Sequence, residues 1–143
     1  MGEKVIKVNI SDPDTGKTYK VELSELGFLL GKRIGYEFDG SLLLEDLRGY
    51  KLKIKGGSDN AGFPMHPGVH GVGRKQVLLK EGPGYRPRHK ERYHGIRRKK
   101  TVHGNIIDDL IVQVNCVIIK KGEKAIEEIF KKEENKQEEG DAK

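Results

Sequence analysis

Ile111-Val112-Gln113-Val114-Asn115-Cys116-Val117-Ile118-Ile119 sets Val112, Val114, Cys116 and Ile118 opposite Gln113 and Asn115. That two-residue period belongs to a β-strand with one apolar face, and it places Cys116 with the apolar set. Downstream, Lys120-Lys121-Gly122 break the strand, and Ala125, Ile126, Ile129 and Phe130 recur at helical spacing among Glu and Lys. The spacing predicts a short amphipathic helix. Residues 131–143 carry almost nothing apolar to offset the entropy of ordering, which predicts an acidic tail without order.

Upstream the same alternation returns in shorter pieces. Ile6, Val8 and Ile10 alternate with polar neighbours, Ser11-Asp12-Pro13-Asp14-Thr15-Gly16 supplies turn chemistry, and Tyr19, Val21 and Leu23 resume the pattern, predicting a hairpin. Ser24 is placed to cap a short helix through Leu30, with Gly31 ending it and Gly27 weakening it. A short strand is expected near Gly35–Asp39, and another at Leu52 and Ile54, stopping at Gly56-Gly57. After a Gly/Pro-rich loop to Gly73, the cluster Val77-Leu78-Leu79 in Arg74–Lys80 has the composition of a sheet strand. Short strands, frequent turns and little helix predict a mainly β fold: a small closed or partly open β-barrel with one or two short helices, a basic arm and a C-terminal helix. Ring closure is the usual way such chains remove exposed edges. One domain is expected over residues 1–130, including the basic arm at 85–104, with the tail at 131–143.

Composition excludes several classes. At 143 residues and 34% hydrophobic, with 19 glycines, the chain has material for one modest core. No apolar run approaches the ~18 residues that span a bilayer, and Met1-Gly2-Glu3-Lys4 leads into alternating sequence without an apolar signal core. The single Cys116 cannot form an internal disulfide, and a cytoplasmic location is expected.

The net charge of +6 hides a local imbalance. Residues 1–65 are neutral, residues 66–104 carry 11 basic side chains against Glu81 and Glu91, and residues 123–143 sum to −3. Eight of the cations fall within Arg86–Lys100: Arg86, Arg88, Lys90, Arg92, Arg97, Arg98, Lys99 and Lys100, opposed only by Glu91. Such crowding is tolerated when solvent, salt or a polyanion relieves the repulsion. Guanidinium forks bond phosphate oxygens in pairs, and Tyr85 and Tyr93 between them offer stacking faces for unpaired nucleotides. With Arg74 and Lys75, this set predicts an RNA-binding arm. A solvated basic loop or a sorting signal is the bland alternative.

The remaining motifs carry less chemistry. Gly56-Gly57-Ser58-Asp59-Asn60-Ala61-Gly62-Phe63-Pro64-Met65 lacks the Gly-Lys-Ser/Thr ending of a nucleotide loop and reads better as a rigid turn, with Asp59 capping amides and Phe63 and Met65 tucked into the core. His66 and His70 lie among Pro67, Gly68 and Gly71, which disfavour the helix that a two-histidine metal site needs there. Asp108-Asp109 and Asp12 with Asp14 fit local amide bonding. No catalytic residue, metal site or cofactor is expected. An enzyme holding a phosphorylated substrate on the glycine loop would need a base or nucleophile that the sequence does not supply.

Four segments together resemble the eukaryotic and archaeal small-subunit ribosomal protein six family. They are Gly56-Gly57-Ser58-Asp59 with Gly62-Phe63-Pro64-Met65; Tyr85-Arg86-Pro87-Arg88; Arg97-Arg98-Lys99-Lys100-Thr101-Val102 with Gly104; and Val117-Ile118-Ile119-Lys120-Lys121-Gly122-Glu123-Lys124. The first is the family's specific signature, before whose glycine pair Lys55 stands where a small residue is more often found. The resemblance implies a barrel-like body on ribosomal RNA of the small subunit beside neighbouring ribosomal proteins, a structural and assembly role, and no catalysis. Eukaryotic members extend into a basic helix ending in phosphorylated serines, whereas here no serine follows Ser58. The short form looks archaeal. An extra-ribosomal RNA-binding regulator or RNA chaperone is the alternative role.

Overall fold

The computed structural model describes residues 5–89 and 93–141. Among the described residues, seven strands form two sheets: β1 (Ile6–Ser11), β2 (Thr18–Leu23), β3 (Glu37–Asp39), β4 (Lys51–Asp59), β5 (Arg74–Leu79), β6 (Arg98–His103) and β7 (Ile111–Lys120). A five-stranded sheet runs β2-β1-β7-β4-β3, and β5-β6 is a separate two-stranded ribbon. The fold is mainly β with one C-terminal helix. Both sheets are open: no ladder joins β2 to β3 among the described residues, so the ring closure expected from edge avoidance is not found.

The predicted strand 111–119 is the centre of the large sheet, pairing parallel with β1 and antiparallel with β4. Val114, Cys116 and Ile118 are buried as the alternation requires, together with Ile6, Val8 and Ile10 of β1 and Leu52 and Ile54 of β4. The alternation misplaces one residue, because Ile111 and not Val112 is the buried one at the strand's start. A register shift between Ser58 and Asp59 pairs Asp59 with Ile111 although Ser58 pairs with Gln113, and it changes which side chain faces the core. On the other face Asn115 Oδ1 accepts from Asn9 Nδ2 and Gln113 Nε2, both at 3.1 Å.

Cys116 is 2% exposed, and burial pushes its thiol up to about 12. A neutral, enclosed thiol is unreactive. A chromogenic disulfide reagent is therefore expected to label it only when denaturant opens the sheet. Rapid labelling of the native protein would contradict this packing.

The helix expected from Ser24 shrinks to a single 3₁₀ turn at Gly27–Leu29, with no side-chain cap, since Gly27 takes φ +52°. The C-terminal helix α1 (Ile126–Asp141) packs Ile126, Ile129 and Phe130 into the core, and Phe130 stacks on Tyr19 at 4.7 Å between centroids. Residues 131–141, where the sequence predicts no order, continue this helix. Glu127 and Glu128 stand four residues before Lys131 and Lys132, the favourable orientation for paired charges on a helix.

Candidate nucleic-acid interface

The β5–β6 ribbon carries five of the predicted cations, Arg74, Lys75, Arg98, Lys99 and Lys100. Its register sets Arg74 opposite His103, Lys75 opposite Val102, Val77 opposite Lys100, Leu78 opposite Lys99 and Leu79 opposite Arg98. Lys75, Arg97, Arg98, Lys99 and Lys100 are exposed, and Arg86 and Arg88 are exposed on the loop that joins the two strands. Among the described residues, ion pairs engage Lys17, Lys20, Lys51, Arg74, Lys121 and Lys124, and none joins Arg86, Arg88, Arg97, Arg98, Lys99 or Lys100 to a described carboxylate. Lys90 and Arg92 lie outside the described residues.

The joining loop is held at several points. Gly82 and Tyr85 exchange backbone hydrogen bonds of 3.0 and 3.1 Å around Pro83-Gly84, and Gly84 has φ +81°, the Pro-Gly pattern of a type II turn. Tyr85, Pro87 and Ile96 are buried. Tyr85 therefore has no open face for a base; its 6% exposed ring instead lies under the Lys100 ammonium, 5.0 Å from the centroid. Tyr93, at 63% exposure, keeps a free face.

Arg74 is committed elsewhere. Its Nε donates to Asp59 Oδ2 at 2.7 Å, its Nη2 to Asn60 Oδ1 at 2.7 Å, and its guanidinium lies 5.3 Å from the Phe63 ring centroid. Asp59 is buried, and its Oδ1 also accepts from the Ala61 and Phe63 amides at 3.0 and 2.9 Å. Burial alone would push this carboxyl up, but the Arg74 guanidinium and the two amides outweigh it and hold it below the ordinary carboxylate range. His103, fully buried at the end of β6, places Nε2 3.0 Å from Asp108 Oδ2 and Nδ1 3.4 Å from Asp59 Oδ2. Asp108 in turn accepts from the Gly73 and Leu110 amides. Two carboxylates, a guanidinium and an imidazole thus bolt the root of the ribbon to β4 and to the approach to β7.

The glycine-rich signature builds the other half of this anchor. After β4 the chain turns at Asn60–Gly62, and Met65 N–H returns to Gly57 C=O at 2.9 Å. The next residues pair with β6: His103 N–H donates to Pro64 C=O at 2.8 Å, and His66 N–H to His103 C=O at 2.9 Å. Met65 is buried, and Phe63 is half-buried under Arg74. The signature is a structural turn that fixes where the ribbon leaves the body. Local reading of the sequence finds the Asp59 cap but not its long-range partners, Arg74 and His103, which lie 15 and 44 positions further along the chain.

A mainly β body with an anchored ribbon of unopposed cations is the architecture of a protein that docks on a polyanion. Residues 6–131 match the ribosomal protein S6e family, and the chain belongs to it. It is 45% identical over 124 residues to small ribosomal subunit protein eS6 of Methanocaldococcus jannaschii, covering 87% of this chain and 89% of that one. The protein of that name from Methanothermobacter thermautotrophicus is 50% identical over 124 residues, covering 87% and 94%. That from Archaeoglobus fulgidus is 44% identical over 131 residues, covering 90% and 97%.

Proposed function

We propose that this protein is a structural constituent of the small ribosomal subunit, where it binds ribosomal RNA in the cytoplasm, contacts neighbouring ribosomal proteins and supports assembly and translation without catalysing a reaction. Family membership supports the setting. The observation that carries the RNA contact is the set of exposed cations, Lys75, Arg86, Arg88, Arg97, Arg98, Lys99 and Lys100, without carboxylate partners among the described residues. Lys90, Arg92 and Tyr93 complete the proposed surface, while Arg74 and Tyr85 act by holding it in place. Residues 1–130 form the RNA-binding unit.

Binding is expected to fall steeply with salt. Six cations on phosphates give a slope of log K against log[salt] of about −5 on duplex RNA, measured by filter binding to small-subunit RNA fragments. Replacing Arg97 and Arg98 together by Ala removes two exposed cations, lowers affinity roughly tenfold or more, and makes the slope shallower by about 2. The circular dichroism spectrum stays unchanged, because neither side chain packs in the core. A slope near zero defeats the proposal. Sedimentation separates the roles: co-migration with small subunits through moderate salt supports a structural constituent, and recovery only in light fractions supports a free regulator.

A further inference from the structure

Beside the ribbon's far end lies a cleft of about 430 Å³, within the size range of small-ligand pockets. Its lining combines Leu78, Leu79 and Pro83 with His66, the cations Lys80 and Arg97 and one carboxylate, Glu81. The aliphatic part is open to solvent, since Leu78 is 60% exposed. His66 is held twice: its backbone N–H bonds to His103 C=O, and its Nδ1 accepts from the Gly68 amide at 3.0 Å. With Nδ1 engaged as an acceptor, the ring's donor is Nε2–H, which has no hydrogen-bond partner among the described residues. The chain at Gly84 passes close to two of these residues: a Cβ there would lie 3.4 Å from Leu79 Cδ1 and 3.7 Å from His66 Cδ2.

We propose that this cleft binds the base of a single unpaired nucleotide, with His66 and the leucine pair receiving the ring and Lys80 and Arg97 holding the flanking phosphates. The proposal rests on the RNA-binding reading above and gives it a specificity element. A duplex presents phosphates alone to a cationic ribbon, whereas a fixed aromatic ring with a free donor beside aliphatic walls suits a base turned out of the stack. The larger cleft between Arg48 and Lys120–Lys124 lacks this character, because Lys121 is paired with Asp12 and Asp14, and Lys124 with Asp46.

Three RNA hairpins with the same stem test it by fluorescence anisotropy on the full chain: fully paired, with one bulged adenosine, and with an abasic residue at the bulge. The bulged adenosine is expected to bind about tenfold more tightly than the other two. His66→Ala and Leu78→Ala each bring that preference to near unity while leaving the paired hairpin's affinity and salt slope unchanged. Equal affinity of the wild-type protein for all three RNAs, or equal gain from the abasic bulge, overturns the nucleotide site and leaves RNA binding standing. Failure to bind any of them overturns both.

Discussion

Gly57→Ala is expected to destabilise the protein by about 3 kcal/mol or more, whereas Gly56→Ala at the adjacent position costs less than about 1 kcal/mol. A Cβ at Gly57 would stand 2.3 Å from the Gln113 carbonyl oxygen and 3.2 Å from Met65 Sδ, while one at Gly56 meets nothing within 4 Å. Backbone cannot give way as a flexible side chain can, so β4 and β7 must part where Gly57 pairs with Val114. The displacement also unseats Met65, whose amide bonds to Gly57 C=O. Urea titration measures it: the midpoint of Gly57→Ala falls sharply with an unchanged slope, and that of Gly56→Ala barely moves. Equal losses at the two glycines would show that backbone entropy, not close approach of strands, explains the pair.

Asp59→Ala is the second large effect, about 3 kcal/mol, because it strips acceptors from two amides and from Arg74 in a place water does not reach. Asp59→Asn keeps an oxygen for the amides but loses the charge, and is expected to fall between. The acid behaviour carries a definite sign. The folded-state carboxyl is held low, so its contribution is complete at pH values above the unfolded value of about 4 and is lost as pH falls through the lower folded value. The stability gap between wild type and Asp59→Asn should therefore be constant near neutrality and narrow below about pH 4. A gap that widens in acid would reverse the assignment. RNA affinity should also drop in Asp59→Ala although Asp59 touches no phosphate, because the ribbon's root is no longer held.

The sequence predicts best where local pattern and tertiary packing agree. Ile111–Ile119 reads as a strand because its alternation survives in the core, and the basic segment reads as exposed because eight crowded cations cannot be buried. It predicts worst where long-range partners decide. Arg74 counts among the ligand-facing cations until Asp59, fifteen residues earlier, is seen to hold it. Tyr85 reads as a stacking face until the turn at Pro83-Gly84 buries it. Ile111 rather than Val112 faces the core because β7 spends an extra residue, Val112, opposite the single step from Ser58 to Asp59 on β4, and only the pairing with β4 reveals that bulge. His66, set aside for want of a metal site, lines a cleft whose other walls come from residues 78–97.

The parallel ladder between β1 and β7 joins Lys7 to Gln113 and Ser11 to Val117 across more than a hundred residues. A chain growing from its N-terminus must therefore hold its first hairpin, with one edge unclaimed, until β7 emerges more than a hundred residues later. Loop closure over that span is slow, and the waiting edge is open to association with other chains. The β5–β6 ribbon, by contrast, pairs within residues 74–103 and can form before the central strand exists.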